Sequence, residues 1–268
     1  MKNSKKKSLV IISGVTGAIG GALLTVFGQR KDTIVYGLSR KAEPVSLFLN
    51  NNKLPIATLA CSIGDNMDFD SLFQKIDVDN VRDITYIHCF GLYPFEVDRN
   101  GQIVVSNDID GDGVNDEVNK LTYLSFVNAT SILQKYWKGK LSCAIFAGLA
   151  DKHRPAGHKS WWTTIEKVKN YMRSSVEMNK NLSMMVFNIS SVLCPHEVIT
   201  RPFVFIQTDA DPRFWLNPYE LAKFVVSKLV SASGYNEFDK FRSKPGFDES
   251  SYYTDDVFTP RKVKELFV

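Results

Sequence analysis

Short apolar runs alternate with amphipathic segments along most of the chain, and this alternation predicts strands and helices in turn. The runs are short and rich in β-branched residues, which is typical of buried strands. The segments between them carry apolar residues at helical spacing, as in the stretch after Asp65. Strands are predicted at residues 9–13, 32–38, 54–60, 83–89, 140–147 and 182–192. Helices are predicted at residues 22–27, 65–76, 118–137, 160–180 and 219–229.

Strands that alternate with helices at this spacing predict an α/β fold, a Rossmann-type doubly wound parallel sheet in a single domain. We divide the chain into a basic flexible head (1–7), a Rossmann domain (8–232) with a loop insertion (92–116), and a C-terminal extension (233–268). No strand is predicted after Ser231, where the sequence is polar and aromatic. Right-handed crossovers place the carboxyl ends of parallel strands at one edge of the sheet, where ligands bind.

The first predicted strand runs directly into a glycine turn, in the sequence LVIISGVTGAIGG at Leu9–Gly21. Glycines let the backbone approach a pyrophosphate closely, and the helix after them aims its unpaired N–H groups at the same place. A strand before the glycines and a helix after them form the context that a dinucleotide-binding motif requires. The stretch predicts a dinucleotide site; a tight turn that binds nothing is the alternative interpretation.

Composition limits the possible functions. The chain has 268 residues, 44% of them hydrophobic, and a net charge of +4, with four lysines in the first seven residues. This head lacks the apolar region of a signal peptide, and no apolar run is long enough to span a membrane. A basic face with interleaved aromatic residues is also missing, which argues against nucleic-acid binding. Four scattered cysteines without a C-x-x-C pair favour buried thiols in a reducing cytoplasm.

Over residues 9–229 the chain resembles the short-chain dehydrogenase/reductase family. The resemblance is carried by segments that match the family's motifs in the same order along the chain. These are Ser13–Gly20 (the glycine motif), Cys61–Asp65 (the adenine segment), Cys89-Phe90-Gly91 (in place of Asn-Ala-Gly), Asn119 at the start of the long helix, Cys194-Pro195-His196 (similar to the Pro-Gly turn beside the nicotinamide), Thr200, and Pro218–Ala222 at the entry to the last large helix.

The resemblance implies a nicotinamide dinucleotide, and the end of the second strand bears on which one. A carboxylate at that place would bind a ribose diol and repel a 2′-phosphate. Here the chain has Ser39-Arg40-Lys41, a hydroxyl and two cations that suit a phosphate, so NADP(H) is predicted over NAD(H). The predicted cofactor-binding residues are Ser13, Gly14, Val15, Thr16, Gly17, Ala18, Ile19, Gly20, Ser39, Arg40, Lys41, Ser62, Ile63, Phe90, Gly91, Pro195 and Thr200.

Most of the family's catalytic residues are missing. Hydride transfer in the family uses a tyrosine acid, a lysine that lowers its pKa, and a serine that holds the carbonyl. These positions fall at Trp161, Ile165 and Ala147-Gly148, and no neighbouring register gives Tyr-x-x-x-Lys. An indole N–H donates a hydrogen bond but is no acid near neutral pH. Asn119 alone remains of the family's four residues.

Two hypotheses therefore compete. In the first, the chain is a divergent oxidoreductase that acts on a small carbonyl or alcohol through other groups at the same edge. The candidates are Asn119, His158 and Trp161, with His153, Lys159, Tyr93 and Tyr123 as further possibilities. In the second, it is a pseudoenzyme that binds nucleotide or a partner, and Trp161-Trp162 fills the nicotinamide cleft or forms a contact surface. The resemblance also implies a homodimer or homotetramer through the helices at 118–137 and 160–180.

A second motif lies in the loop before the long helix. Residues 108–116 have the pattern D-x-D-x-D-G-x-x-D, in which alternate carboxylates converge on one hard cation and Gly113 supplies the sharp turn. The pattern is similar to the calcium loops of EF-hands, dockerins and integrin-type repeats. It departs from an EF-hand because Asn119 replaces the bidentate glutamate. The predicted ligands are Asp108, Asp110, Asp112, the carbonyl of Val114, and Asp116; a solvated acidic loop is the alternative.

Overall fold

In the computed structural model, seven parallel strands form one sheet in the order β3-β2-β1-β4-β5-β6-β7. The structure describes residues 6–39, 56–60, 69–70, 73–74, 76, 78–91, 102, 104–148, 154, 158–190, 192 and 216–240. The strands are β1 (Lys7–Ser13), β2 (Thr33–Ser39), β3 (Ile56–Ala60), β4 (Val81–His88), β5 (Leu141–Gly148), β6 (Leu182–Ile189) and β7 (Gly234–Lys240).

The helices that flank the sheet are α1 (Ala18–Gly28), α2 (residues 116–136), α3 (Lys159–Met178) and α4 (Pro218–Ser231). Helix α2 is continuous but not uniform: α-helical turns at Asp116–Val118 and Ser125–Tyr136 enclose a π-helical segment at Asn119–Leu124. The side chains of Asn115 and Asn217 cap α2 and α4 by accepting hydrogen bonds from the backbone of their first turns. None of the described helices is long and apolar enough to cross a membrane.

Helices cover both faces of the sheet, which confirms the predicted doubly wound fold. Leu9 and Ile11 of β1 pack with α2 and α3 in one core, whereas Val10 and Ile12 pack with α1 and α4 in the other. Because the central strands are buried on both faces, their sequences are almost continuously apolar, and that is why they are visible in the sequence.

The absence of a strand after Ser231 was a wrong prediction, because β7 pairs with β6 along its whole length. Strand β7 has no apolar run because it is the half-exposed strand at the edge of the sheet. Polar contacts fasten it instead: Glu237 accepts hydrogen bonds from Lys169 at 2.8 Å and Arg173 at 3.1 Å, both on α3. Burial acts to raise the pKa of Glu237, but the hydrogen bonds from Lys169 and Tyr235 outweigh it and lower this pKa to about 2.

The sheet also begins earlier than predicted, since Lys7 already belongs to β1. Strand order reverses between β1 and β4, so the carboxyl ends of these two strands lie side by side, with Ser13 opposite His88. In open sheets of this kind a ligand binds at the point of reversal.

Candidate functional site

The glycine turn after β1 lies at this point of reversal. Gly14 has a φ of 70°, and a Cβ there would lie 2.7 Å from the carbonyl oxygen of Cys89. A Cβ on Gly20 would lie 2.3 Å from the carbonyl oxygen of Gly14. Side chains at these two positions would collide with the backbone, so the packing of the turn itself requires both glycines.

Gly17 is different, because nothing in the described part of the protein requires a glycine there. Its φ of −83° suits any residue, it is exposed, and a Cβ on it would meet the carbonyl oxygen of Gly14 at an ordinary 3.4 Å. Gly17 precedes α1, and the first N–H groups of any helix have no acceptor within the helix itself. Glycine offers them no side-chain acceptor either. The missing side chain leaves open space at a helix N-terminus, the geometry that binds phosphate.

The other predicted cofactor residues divide into three groups. Ser39 ends β2 and is buried, whereas Thr16 and Gly91 are exposed and Ala18 and Phe90 are half-buried. Val15 and Ile19 pack in or against the core, and the side chain of Val15 fills the space above Gly37. Arg40, Lys41, Ser62, Ile63, Pro195 and Thr200 lie outside the described residues.

Trp161 lies directly against Gly91. A Cβ on Gly91 would be 3.2 Å from Cζ3 of the indole, and Trp161 is 7% exposed. Ile165, one turn further along α3, and Ala147 on β5 are buried in the same core. The three positions at which the resemblance implies tyrosine, lysine and serine are therefore apolar and packed.

The other candidate catalytic groups occupy varied surroundings. His158 precedes α3 and is buried at 3% exposure, while Tyr123 packs against the core. The ammonium of Lys159 lies over Gly113, only 2.5 Å from the position of a Cβ there, and so faces the acidic loop. Asn119 opens the π-helical segment, and its Oδ1 is buried and accepts no hydrogen bond from the described residues. His153 and Tyr93 lie outside the described part of the chain.

His88 is the site residue that sequence reasoning missed. Its fully buried ring ends β4, where Nε2 lies 3.1 Å from the carbonyl oxygen of Leu121 in the π-helical segment. A carbonyl only accepts, so Nε2 carries the proton, and Nδ1 accepts a hydrogen bond from the Tyr86 hydroxyl at 2.8 Å. Ser13 Oγ lies 3.3 Å from the same Nδ1.

Burial lowers the pKa of His88 to about 4, against a smaller opposite effect of the Leu121 carbonyl, so the ring is neutral at pH 7. The sequence did contain one signal of this arrangement. Tyr86 and His88 are two residues apart in a strand, so they share a face, and a titratable residue rarely occupies such an apolar run without a partner.

The acidic loop before α2 brings together three of its predicted ligands. Carboxylate oxygens of Asp108, Asp110 and Asp112 lie within 4.8 Å of one another. Gly111 and Gly113 turn the chain there, each with a φ of 76°. Asp116 is not part of this group, and its Oδ2 accepts the Ile109 N–H at 2.7 Å.

The interior of the loop holds one oxygen without a protein donor. Oδ2 of Asp108 accepts the Gly113 N–H at 2.9 Å, but Oδ1 is buried and has no hydrogen-bond partner in the described part of the chain. Val114, whose carbonyl was a predicted ligand, is itself buried. A carboxylate oxygen of this kind is a suitable ligand for a cation.

Contacts with the first turns of α3 fasten the acidic loop beside Trp161. The Asn115 N–H donates to Ser160 Oγ at 2.7 Å, and the ammonium of Lys167 lies 3.8 Å from Asp112. The loop with the predicted metal ligands and the helix with the predicted catalytic residues are therefore in direct contact.

No protein-family model matches the sequence, and no curated protein matches it either. Solved structures do resemble it. A short-chain dehydrogenase/reductase of the glucose/ribitol dehydrogenase type from Brucella melitensis aligns over 90% of this chain and 98% of its own, with 14% identity and a TM-score of 0.69. One from Saccharomyces cerevisiae aligns over 86% and 95%, with 13% identity and a TM-score of 0.69. One from Vibrio parahaemolyticus aligns over 86% and 99%, with 11% identity and a TM-score of 0.60.

These likenesses span 95% or more of each solved chain and 86–90% of this one, so the architecture is shared over most of this chain. At such low identity they concern the course of the backbone rather than its chemistry. They confirm the fold that the glycine motif and the order of elements indicated: the chain has the fold of the short-chain dehydrogenase/reductases.

Proposed function

We propose that this chain is a divergent oxidoreductase of the short-chain dehydrogenase/reductase family that binds NADP(H) and acts on a small carbonyl or alcohol. The observation that carries the proposal is Gly17, a glycine at the start of α1 that the packing of the described residues does not need. A ligand that approaches the backbone there explains its presence. Related folds, whose solved members are named dehydrogenases or reductases, support a nicotinamide dinucleotide as that ligand.

The residues present fit such a cofactor. The turn at Ser13–Gly20 would hold the pyrophosphate, and Ser39 with Phe90 and Gly91 lies at the same edge of the sheet. When bound, the nicotinamide would supply or accept a hydride. Arg40 and Lys41, the next residues after β2, would hold the 2′-phosphate that distinguishes NADP(H) from NAD(H).

Proton transfer must use a group other than the family's tyrosine. We propose His158 for this role, since imidazole is the side chain most often used to transfer protons in enzymes and this one directly precedes the helix that carries Trp161. Asn119 would keep the structural and catalytic role that the resemblance gives it. Trp161 would form the wall of the cleft beside Gly91.

A second candidate function is nucleotide binding without turnover. The specific observation that favours it is the apolar, tightly packed state of Trp161, Ile165 and Ala147. None of these side chains can act as a proton-transferring acid or base toward a substrate. In this case the chain would act as a nucleotide-dependent scaffold or regulator.

We also propose that the acidic loop binds Ca²⁺ through Asp108, Asp110, Asp112 and the carbonyl of Val114. The support is the grouping of the three carboxylates and the buried Oδ1 of Asp108. Calcium accepts six to eight oxygen ligands in flexible geometry, whereas Mg²⁺ prefers fewer carboxylates and more water. An ion here would stiffen the loop and the start of α2 without taking part in the chemistry.

Assembly and compartment are proposals of the same kind. We propose a homodimer or homotetramer through α2 and α3, on analogy with the family. Cys89 and Cys143 are free thiols, which supports a reducing cytoplasm.

The glycine turn offers a matched pair of variants. We expect Gly17→Ser to weaken NADPH binding about tenfold or more, because its side chain would fill the phosphate space and cap the free N–H groups, while the melting temperature stays equal or rises. Gly20→Ala should lower the free energy of unfolding by about 2 kcal/mol or more, since its Cβ meets backbone. Calorimetric titration and thermal melting measure both. Unchanged NADPH affinity in folded Gly17→Ser would exclude this turn as the binding site.

Cofactor preference depends on Arg40. We expect the wild-type protein to bind NADPH more tightly than NADH. Arg40→Ala should remove about tenfold of the NADPH affinity and leave NADH binding unchanged, because only the 2′-phosphate pairs with this side chain. Fluorescence titration with the two nucleotides measures the ratio. Equal or tighter binding of NADH to the wild type would contradict the preference.

Turnover separates the oxidoreductase from the second candidate. We expect purified protein to oxidise NADPH in the presence of at least one small aldehyde or ketone, and His158→Gln to reduce the rate about a hundredfold without changing NADPH affinity. Loss of NADPH absorbance reports the reaction. Firm NADPH binding with no oxidation across a broad carbonyl panel would favour the pseudoenzyme.

Calcium should stabilise the fold. We expect saturating Ca²⁺ to raise the melting temperature by about 5 °C over EDTA-treated protein, and Asp108→Asn to abolish the shift. Glu177→Gln, an exposed charge loss on α3, is the matched control and should keep it. A melting temperature that responds to neither EDTA nor Ca²⁺ would show that the loop is merely solvated.

A further inference from the structure

The backbone hydrogen bonds of helix α2 change from α-helical to π-helical spacing after Asn119. The Asn119 N–H donates to the carbonyl of Asn115 at 3.1 Å, which is the α-helical spacing. The Ser125 N–H donates to the carbonyl of Lys120, five residues back, which is the π-helical spacing. In a regular α-helix that N–H would instead reach Leu121. The carbonyl of Leu121 has therefore lost its usual backbone donor.

Two side chains replace the lost donor. His88 donates from Nε2 to the Leu121 oxygen at 3.1 Å, and the Ser125 hydroxyl donates to the same oxygen at 2.5 Å. Both side chains are buried, and His88 comes from β4 rather than from the helix itself. A buried carbonyl without a donor is costly, so these two bonds stabilise the π-helical register against the α-helical one.

The other side of the imidazole faces the glycine turn. Ser13 Oγ lies 3.3 Å from Nδ1 of His88 and accepts the Cys89 N–H at 3.2 Å. Ser13 directly precedes Gly14, whose backbone packs against the Cys89 carbonyl. The ring of His88 thus contacts both the base of the glycine turn and the π-helical segment, and Phe90 and Phe126 pack edge-on against it.

We propose that His88 is a positioning residue that holds α2 in its π-helical register and couples that register to the glycine turn. One additional residue in a helix rotates the turns before it by about 100° relative to the turns after it. His88 therefore sets the direction of Asn119 relative to the packed half of α2. That this direction matters for activity rests on the proposed function, in which Asn119 keeps the family's role. The control of the π-helical register by His88 does not depend on the proposed function.

Two substitutions separate the two nitrogens of the ring. Glutamine at position 88 places an amide donor near the site of Nε2 and keeps the bond to Leu121. Asparagine is shorter: it offers an acceptor near the site of Nδ1 but does not reach Leu121. We expect the amides of residues 119–125 to exchange in His88→Gln at the same rate as in the wild type. In His88→Asn they should exchange about tenfold faster or more. Exchange in β5 should be equal in both, as an internal control.

Hydrogen exchange detected by mass spectrometry, first without nucleotide and then with NADPH, is the measurement. NADPH should slow exchange at residues 119–125 in the wild type and in His88→Gln, but not in His88→Asn. Equal exchange in the two variants without nucleotide would overturn the control of the register. Binding of NADPH to the wild type with no change at residues 119–125 would overturn the coupling. Failure of the wild type to bind NADPH would instead contradict the proposed function and leave the nucleotide-free comparison standing.

If His88→Asn does not fold, a measurement on the wild type tests the proposal. Nitrogen NMR of the histidine rings at neutral pH should show His88 as the Nε2–H tautomer, with a slowly exchanging ring proton that is coupled across its hydrogen bond to the Leu121 carbonyl. The opposite tautomer, or rapid exchange of that proton, would overturn the proposal.

Discussion

The close contact between Gly14 and the carbonyl of Cys89 is the constraint on which the rest of the site depends. It exists because β1 and β4 are neighbours at the point where the strand order reverses, and because a glycine with positive φ lets the chain turn there. The contact places the start of α1 and the end of β4 side by side at one edge of the sheet. The other groups of the candidate site are positioned relative to these two strand ends, including Ser13, His88 and Gly91.

Behind this contact the site is held by buried polar groups as well as by apolar packing. His88 is neutral at pH 7, since burial lowers its pKa, and both of its nitrogens have partners. A neutral imidazole can donate and accept at once, which neither a charged histidine nor an apolar side chain does. It is therefore suited to join a strand end to a helix whose own hydrogen-bond pattern is interrupted. The fold tolerates a π-helical segment beside the end of β4 because a side chain from that strand completes its hydrogen bonds.

Sequence reasoning found the parts of this structure that rest on local patterns. The central strands were predictable because burial on both faces makes their sequences continuously apolar, and the glycine turn because its geometry demands particular residues. Strand β7 was missed because it is a half-exposed edge strand without an apolar run; pairing with β6, the stacking of Phe238 on Phe187 and ion pairs from α3 to Glu237 hold it in place. The π-helical segment was missed because its cause is His88, which lies 33 residues before Leu121 in the chain. Long-range polar contacts leave no periodic trace in a sequence.

The start of α3 bears on both hypotheses about activity, because it carries Trp161 and contacts the acidic loop. On one side Trp161 packs against Gly91 after the end of β4, and on the other the acidic loop is fastened to the same turns through Ser160 and Lys167. The loop and the indole are therefore joined through the first turns of one helix. If the loop binds a cation, it does so beside the ammonium groups of Lys159 and Lys167, which lie against the loop and repel a cation there. The same first turns of α3 thus carry both Trp161, the apolar position that separates the two hypotheses, and the contacts of the loop.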